Sequence, residues 1–385
     1  MINIIDKHNC CGCSACAQRC PKQCITMQED DEGFLYPLVD ANICIDCGLC
    51  EKICPVLNQP QERKPLACYA AKNPDEMVRA KSSSGGIFTP LATAIIKEGG
   101  VVFGAKYNDN WEVVHASAQT LQEIDAFRGS KYVQSATGTV FIEAEKYLKQ
   151  GRKVMFSGTP CQIAGLKKYL RKDYPNLIAV EIVCHGVPSP LVWREFLASN
   201  FAPSNIKSIN FRDKRIGWKS YGMCITTVDN KGVASSYFQR SIENSFMQLY
   251  LKHLILRPSC SNCPSKSGKS GADIILGDFW GVTSCSKKFT DDKGTSAFIA
   301  LTNKGIELFS KLDVEYEEYD YTTIVSHNPS LENSTEHCSY SEQFWKSFSQ
   351  NGYDDSVKLL KKLQPSFWDK FIQRVSHRLS HLKIN

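Results

Sequence analysis

The sequence predicts two folded units in tandem: a small cysteine-rich α+β head and a larger α/β domain with a mixed sheet. Ten of the 18 cysteines lie within residues 1–58. Residues 59–67 form a polar stretch with the composition of a linker. From residue 68 onward, short apolar segments alternate with amphipathic ones, which is typical of the strands and helices of an α/β domain.

The head contains the motif C-x2-C-x2-C-x3-C-P twice. Three closely spaced thiolates of this motif bind three irons of one [4Fe–4S] cube, and the fourth thiolate binds the other cube. Zinc is the alternative, but zinc sites favour paired C-x2-C motifs with a longer spacer. The spacing therefore predicts a ferredoxin-like two-cluster head, with Cys11 and Cys24 outside the ligand pattern. The first cluster is assigned Cys10, Cys13, Cys16 and Cys54, and the second is assigned Cys44, Cys47, Cys50 and Cys20.

The larger domain is predicted over residues 68–350 and a basic helical tail over residues 351–385. Beyond residue 206 the pattern becomes richer in strands, which predicts that antiparallel strands join the sheet there. The predicted strands are 68–72, 101–107, 153–158, 177–184, 209–213, 223–229, 272–279 and 296–302. The predicted helices are 87–97, 140–149, 163–170 and 241–256.

The composition predicts a globular protein and gives no indication of nucleic-acid binding. A hydrophobic content of 42% with 22% charged residues is that of a globular chain with a buried core. The net charge of +6 is mild, and no basic cluster interleaved with aromatic residues predicts nucleic-acid binding. Clustered cysteines, a start without signal-peptide features and the lack of a long apolar run predict a cytoplasmic protein.

A loop of small residues, Ser82–Gly86, follows the predicted strand 68–72 and opens the predicted helix 87–97. Free backbone N–H groups and the helix dipole at such a loop suit a phosphate or an electron-rich ring edge. Serine-rich helix starts are also common where nothing binds. The loop alone is therefore a weak signal.

Four further motifs accompany this loop. They are GSKYVQS at 129–135, SGTPCQIAGL at 157–166, CHGVPSP at 184–190 and ADIILGDFWG at 272–281. In this order, behind a two-cluster head, they resemble the family of the coenzyme F420-reducing hydrogenase and formate dehydrogenase beta subunits. The resemblance implies a flavin-dependent oxidoreductase with FAD and at least one [4Fe–4S] cluster, so that the larger domain is expected to be flavin-binding.

The resemblance also implies a flavin site. Lys131 suits a diphosphate or the negative N1 edge of a reduced flavin, although a solvated lysine is the alternative. No catalytic acid or base is assigned: His185 follows Cys184 and is the candidate, but a hydrogen bond to cluster sulfur explains it equally well and a structural role explains it better than either. The implied flavin site comprises Ser83, Ser84, Gly85, Gly86, Lys131, Tyr132 and Gln134, with Asp278 and Phe279 near it.

A third [4Fe–4S] cluster is predicted in the larger domain. Its ligands are assigned as Cys161, Cys184, Cys260 and Cys263, which lie at predicted turns. Cysteines that follow successive strands of an α/β sheet can converge with a C-x2-C loop in one crevice. Zinc and inert buried thiols are the alternatives, and the resemblance favours iron.

Two functions remain open. The first is an FAD and iron–sulfur enzyme that exchanges electrons with ferredoxin or a deazaflavin and reduces or oxidises a small organic substrate. Bacterial members of the family are often encoded among cell-surface polysaccharide genes, which suggests that link here. The second is a non-catalytic electron-relay subunit that needs a partner redox subunit.

The tail offers a separate prediction. Phe367, Phe371, Val375, Leu379 and Leu382 recur at helical spacing among basic residues, which predicts weak contact with an anionic membrane surface. Docking of this helix on its own domain is the alternative.

Overall fold

The computed structural model of this protein describes residues 1–363 of the 385. The head contains an antiparallel hairpin and two short helices, each of which begins beside a cysteine-rich loop. Its elements are α1 (Ala15–Arg19), β1 (Ile25–Glu29), β2 (Leu35–Val39) and α2 (Leu49–Lys52).

The rest of the chain forms two further sheets and the helices around them. The strands are β3 (Ala67–Lys72), β4 (Val101–Tyr107), β5 (Val113–Ala118), β6 (Val154–Gly158), β7 (Leu177–Ile182), β8 (Ile206–Asp213), β9 (Gly222–Val228), β10 (Ala234–Arg240), β11 (Ile274–Asp278), β12 (Ser296–Ala300) and β13 (Glu315–Glu318). The helices are α3 (Glu76–Ala80), α4 (Phe88–Lys97), α5 (Val140–Lys149), α6 (Pro160–Leu170), α7 (Pro190–Asn200), α8 (Ser245–Leu251), α9 (Val282–Cys285), α10 (Asn303–Ser310), α11 (Tyr321–His327), α12 (Ser341–Val357) and α13 (Leu359–Lys362).

The main sheet has eight strands in the order β13-β3-β12-β11-β7-β6-β4-β5. The four central strands β11, β7, β6 and β4 are parallel, and the flanking strands pair antiparallel, so the predicted mixed sheet is present. Parallel strands place their carboxyl ends at one edge of a sheet. The segments after β4, β6, β7 and β11 therefore lie along a shared edge, called here the carboxyl edge.

Both faces of the main sheet are buried, as expected for central parallel strands. Phe103 and Phe156 point to the face covered by α5 and α6, whereas Val102 and Met155 point to the face covered by α4 and α10. Three residues of the head, Cys11, Cys13 and Ala15, belong to the same core as the first face. The head is thus packed onto the α5 and α6 side of the sheet.

The segment predicted as a linker is anchored to the larger domain. The Arg63 backbone N–H donates to Gly268 O at 3.0 Å. Its guanidinium donates to the carbonyls of Gly271 and Ala272 and forms an ion pair with Asp273. Residues 59–67 therefore run along the surface of the larger domain before β3 begins.

The antiparallel strands predicted beyond residue 206 do not extend the main sheet. They form a separate three-stranded sheet in the order β10-β9-β8. The apolar residues of β8 and β9, such as Phe211 and Met223, pack against Trp193 of α7 and Phe246 of α8 in a core of their own. A local pattern predicts the strands but not the sheet that they join.

Two helix predictions differ from the structure. The helix predicted over 241–256 is shorter, because Asn244 caps its start and His253 adopts a positive φ of 61° after its end. The helix before the predicted tail of 351–385 begins earlier, because α12 starts at Ser341 and runs into the tail, where α13 follows it. The membrane-contact prediction for the tail rests on residues 367–382, which lie outside the described residues. No helix within residues 1–363 is long and apolar enough to cross a membrane.

Candidate functional site

The first cysteine set of the head is buried against the larger domain. Cys10 and Cys13 lie in the loop that leads into α1, Cys16 lies in the first turn of α1, and Cys54 follows α2. Burial and the neighbouring charges of Cys10 and Cys54 raise the pKa of Cys16 to about 12. The four thiols predicted for the first cluster therefore share one site. An iron–sulfur cluster would hold them as thiolates, because the thiolate is the form that binds metal.

The second cysteine set surrounds a small cavity at the surface of the head. Cys20, Cys44, Cys47 and Cys50, which are the predicted ligands, all line it. Cys24 lines the same cavity, with its Sγ 3.4 Å from Cys20 Sγ. Cys47 is exposed, so this set lies nearer to solvent than the first. Within residues 1–363, no group of three or more His, Cys, Asp or Glu side chains has the arrangement of a site for one metal ion.

The third cysteine set lies at the carboxyl edge of the main sheet. Cys161 is in the first turn of α6 after β6, Cys184 follows β7, and Cys260 and Cys263 belong to a short turn after α8. Burial and the nearby Cys260 and Cys161 thiols raise the pKa of Cys184 well above its usual range. The backbone N–H of Val187 donates to Cys260 Sγ at 3.4 Å. The structure thus brings these four cysteines together.

Cys11 connects the first and third sets. Its buried thiol packs in one core with Cys13 and Cys161, and it has a pKa well above its usual range, which Cys13 raises and Cys161 lowers. Gly165 lies one turn after Cys161 on the same face of α6, and a Cβ there would stand 3.0 Å from Cys13 Sγ. This face of α6 therefore carries the contact between the two sets.

A cavity of about 400 Å³ opens beside the third set. The segments after β3, β6, β7 and β11 line it, and Cys184 is part of its wall. Its size lies within the range of about 300–1,000 Å³ that is usual for small-molecule sites. Six residues of the predicted flavin site line this cavity: Ser83, Ser84, Gly86, Lys131, Tyr132 and Asp278.

Three residues of the predicted flavin site lie elsewhere. A Cβ on Gly85 would stand 2.3 Å from Ala71 O, so Gly85 allows close packing of the loop on the sheet. Gln134 donates to Cys11 O at 3.0 Å and thereby contacts the head. Phe279 is fully buried with its ring edge-on to Tyr319.

Lys131 is a basic residue of the cavity wall. Its Nζ donates to the carbonyls of Arg128 and Gly129 at 3.3 and 3.1 Å and lies 5.7 Å from the centre of the Tyr107 ring. Burial lowers the pKa of Lys131 to about 7. An ammonium has three N–H donors, so one donor remains for a ligand. The site suits an anionic group, which would restore the charge that burial disfavours.

The serine loop is held in place by hydrogen bonds. Ser83 Oγ accepts from Ser130 N at 2.6 Å, which joins this loop to the segment that carries Lys131. Lys214 Nζ donates to Ser84 O at 3.2 Å and to two further backbone carbonyls. Burial lowers the pKa of Lys214 to about 8. Sequence reasoning missed Lys214, because an isolated lysine after a strand gives no signal.

Asp278 is paired on the far wall of the cavity. Arg212 Nη1 lies 3.0 Å from its Oδ2 and also donates to Tyr132 OH. The guanidinium lies 4.1 Å from the centre of the Tyr221 ring and 4.9 Å from that of the Trp280 ring. This buried pair fixes the Asp278 carboxylate, and sequence reasoning did not single out its arginine.

Two neutral histidines complete the wall. Burial lowers the pKa of both His115 and His185 to about 4. His115 Nε2 lies 3.0 Å from Ser157 O, which can only accept, so this nitrogen carries the proton. Glu336 O accepts from His253 Nδ1 at 3.0 Å, and His253 Nε2 lies 2.8 Å from His185 Nε2. A cation, small-residue loops and aromatic rings together fit an anionic, ring-containing ligand such as a flavin nucleotide.

Family comparisons agree with this division of the chain. Residues 68–141 and 151–325 match the N-terminal and C-terminal models of the coenzyme F420 hydrogenase/dehydrogenase beta subunit. Residues 9–58 match a 4Fe-4S dicluster domain. The dicluster match supports the iron–sulfur clusters that the cysteine spacing predicts.

Curated relatives share parts of the chain. One subunit of the F(420)H(2) dehydrogenase of Methanosarcina mazei is 27% identical over 192 residues, which are 46% of this chain and 53% of the relative. A coenzyme F420-dependent sulfite reductase of Methanocaldococcus jannaschii is 22% identical over 319 residues, which are 81% of this chain and 47% of the relative. The chain spans about half the length of these relatives. A chain of the F420-reducing [NiFe] hydrogenase complex from Methanosarcina barkeri is 19% identical with a TM-score of 0.45, over 78% of this chain and 93% of that one.

Proposed function

This chain belongs to the family of coenzyme F420 hydrogenase/dehydrogenase beta subunits, and we propose that it is a flavin-dependent iron–sulfur oxidoreductase. Electrons pass between the [4Fe–4S] clusters of the head and FAD in the cavity, and FAD exchanges them with a small organic substrate or a deazaflavin. Residues 1–58 form the cluster-binding domain and residues 68–350 the FAD-binding domain of this proposal.

One observation carries the proposal: the first and third cysteine sets and the cavity lie next to one another. Cys184 of the third set lies in the cavity wall. Cys161 of the same set contacts Cys11, which contacts Cys13 of the first head set. A protein that relays single electrons from the head to a two-electron cofactor needs this continuity.

The roles of the protein groups follow from their contacts. Lys131 binds the anionic part of FAD, and the loop at Ser83 and Ser84 supplies small side chains and backbone N–H groups. Arg212 pairs with Asp278 and fixes the position of its side chain in the cavity wall. His115 is neutral near pH 7, so it orients groups by hydrogen bonding rather than by charge. When bound, FAD supplies the exchange between hydride chemistry and single electrons.

Cys161, Cys184, Cys260 and Cys263 bind a third [4Fe–4S] cluster in this proposal. Its place between the head and the cavity is where a relay needs a centre. Zinc is the competing metal for four thiolates.

Metal analysis of anaerobically purified full-length protein tests the third cluster. Three cubanes give about twelve irons per chain, and the head alone gives about eight. Cys260→Ser is expected to reduce the iron from about twelve to about eight. Cys285→Ser, an exposed cysteine outside the three sets, is the matched control and should leave the iron unchanged. About eight irons in the unaltered protein, or zinc in the third set, would contradict this part of the proposal.

Flavin analysis of the same preparation tests the cavity. We expect FAD to co-purify, and Lys131→Met to weaken FAD binding by about tenfold or more, because a charge-assisted hydrogen bond contributes about 1.5–3 kcal/mol. Lys231→Met, an exposed lysine in a turn, is the control. Folded protein that neither contains nor takes up FAD would overturn the proposal.

An electron-relay subunit is the second candidate function. Two matched proteins are named as a subunit and as part of a complex, and the second cysteine set of the head reaches the surface at Cys47. Reduction of an added deazaflavin or dye by the isolated chain would favour the enzyme. Activity that appears only with a co-purifying redox subunit would favour the relay. The link to cell-surface polysaccharide metabolism stays a prediction.

A further inference from the structure

Arg257 is buried between the head and the larger domain, with 1% of its surface exposed. Its Nε donates to Cys10 O at 2.7 Å, its Nη1 to Gln134 Oε1 at 3.0 Å and its Nη2 to Leu35 O at 3.0 Å. Every one of these acceptors is neutral. The cation therefore has hydrogen bonds but no counter-charge among these partners.

Other buried arginines of this chain are paired differently. Arg79 forms an ion pair with Asp291 at 2.6 Å, and Arg212 pairs with Asp278 at 3.0 Å. Within residues 1–363, Arg257 forms no comparable ion pair with an Asp or Glu side chain. A buried charge without a partner is costly, so its presence calls for a negative group.

Arg257 is hydrogen-bonded directly to the ligand loop of the first head cluster, which would supply that negative group. Glu32 and the third-set thiols of Cys161 and Cys260 are also near enough for Arg257 to lower their pKa values. Gly12 stands between the ligands Cys10 and Cys13, and a Cβ on it would be 2.8 Å from Arg257 Nη1. The guanidinium thus touches the loop that carries two ligands of the first head cluster. The face of Tyr36, with its ring centre 4.2 Å away, covers the guanidinium on another side. In this water-poor setting a charge interacts more strongly than it does at a surface.

We propose that Arg257 sets the reduction potential of the first head cluster, which is bound by Cys10, Cys13, Cys16 and Cys54. One-electron reduction adds one negative charge to that cluster and requires no proton. A fixed cation beside the ligand loop stabilises the reduced cluster and raises its potential. The second head cluster lies nearer to solvent and lacks this neighbour, so Arg257 favours electron transfer from the second cluster to the first. This inference rests on the clusters of the head and not on FAD or the third cluster.

A redox titration of the full-length chain tests the proposal. Dithionite is the electron donor, and electron paramagnetic resonance detects the reduced clusters. In Arg257→Gln we expect the reduction equilibrium of the first cluster to shift at least tenfold toward the oxidised form, which is about 59 mV for one electron. The second cluster should keep its potential, and its signal is identified by its loss in Cys47→Ser. Arg257→Lys, which retains the charge, should stay within about threefold of the unaltered protein, or under about 30 mV.

Two further variants separate charge from packing. Gln134→Glu places a carboxylate where Arg257 Nη1 now finds a neutral oxygen at 3.0 Å. It should shift the equilibrium in the same direction as Arg257→Gln while the arginine remains, and it keeps the proposal testable if Arg257→Gln fails to fold. Arg194→Gln is the control, because Arg194 also bridges the head and the larger domain but is half-buried and already paired with acids.

An unchanged first-cluster potential in both Arg257→Gln and Gln134→Glu would overturn the proposal. Equal shifts in Arg257→Gln and Arg257→Lys would also overturn it, because packing would then explain the effect. Iron and flavin are measured on the same samples. A lack of FAD or of a third cluster there would contradict the proposed function and leave the potential measurement valid.

Discussion

At the scale of single residues, Lys131 combines a binding role with a titration near neutral pH. Its pKa is lowered to about 7 by burial, so it is protonated below this value and neutral above it. A bound anion favours the protonated form and raises the pKa again. We therefore expect FAD affinity to be constant below about pH 7 and to fall by up to about tenfold per pH unit above it. Fluorescence titration of flavin-free protein with FAD between pH 6 and 9 measures this dependence.

Lys131→Met provides the control for that experiment, because it cannot titrate in this range. Its FAD affinity should be weak and nearly independent of pH over the same interval. If the variant shows the same fall in affinity as the unaltered protein, another group is responsible and the role of Lys131 is wrong.

Glu181, on β7 beneath the third cysteine set, is a buried acid with 2% of its surface exposed. Burial raises its pKa from 4.5 to about 7, although a hydrogen bond from Ser270 and the charge of Lys266 oppose this. Between these two values the folded state binds the proton more strongly, so the free energy of unfolding falls as pH rises from about 4.5 to about 7. Glu181→Gln should remove this dependence and stabilise the protein at pH 8 by about 1–3 kcal/mol.

Thermal unfolding of anaerobic samples at pH 5 and pH 8 checks the Glu181 prediction. Glu143→Gln, a half-buried acid at the surface of α5, serves as the control and should follow the unaltered protein at both values. If Glu181→Gln and the unaltered protein are equally stable at pH 8, then the buried, ionised Glu181 does not destabilise the folded state and the prediction is wrong.

Site residues that belong to a short sequence motif could be predicted from the sequence. Site residues whose role depends on contacts with distant parts of the chain could not. Ser83 and Lys131 belong to motifs, and both line the cavity. Arg212 lies in an ordinary strand pattern, and its role depends on Asp278 and Trp280, which follow more than sixty positions later. No local pattern contains that information.

At the scale of elements, α6 joins two cysteine sets through a helix face that has no side chain at Gly165. A Cβ there would stand 2.8 Å from Cys13 Cβ, which is closer than such atoms normally approach. Gly165→Val should displace the first ligand loop of the head and destabilise the protein by about 1–3 kcal/mol through overpacking. Iron analysis should show loss of up to one cubane, with flavin largely retained.

Lys168→Val tests whether that effect comes from helix propensity alone. Lys168 is on the same helix but is partly exposed, so a valine side chain there does not contact the ligand loop of the head. An iron loss in Lys168→Val as large as that in Gly165→Val would show that the contact with Cys13 is not the cause.

Elements with strong apolar periodicity were predicted well. The prediction for α5 has the observed bounds, Val140–Lys149, because its buried positions recur at helical spacing. β13 was missed, because its sequence EYEE at the sheet edge is nearly all exposed and gives no apolar signal. The separate sheet of β8, β9 and β10 was not foreseen, because strand partners depend on tertiary packing.

At the scale of the whole molecule, the head is part of the core of the larger domain. Cys13 shares a buried cluster with Phe141 and Leu166, and Gln18 accepts a hydrogen bond from the Phe141 backbone at 2.9 Å. Residues 1–58 carry eight acidic and four basic residues, whereas the whole chain carries +6, so the head and the rest of the chain have opposite net charges. Arg19 and Glu145 form an ion pair between them at 3.1 Å.

Loss of the first head cluster should therefore destabilise the whole chain, whereas loss of the second should affect the head alone. Cys13 is buried in the shared core and Cys47 is exposed, yet each is a ligand in the spacing pattern. Because cluster binding supplies folding free energy, we expect Cys13→Ala to lower the stability of the larger domain by about 4 kcal/mol or more. Cys47→Ala should lower it by less than about 1 kcal/mol, as is usual for surface changes.

The tryptophans provide a selective probe for this comparison, because all six lie outside residues 1–58. Their fluorescence during thermal unfolding follows the larger domain and not the head. The Cys13→Ala transition should occur at a clearly lower temperature than those of Cys47→Ala and the unaltered protein, with iron analysis confirming that each variant has lost one cubane. If both variants unfold at the same temperature despite equal iron loss, then the first cluster does not support the larger domain. In that case the buried contacts of Phe141 and Leu166 hold the head in place without the metal.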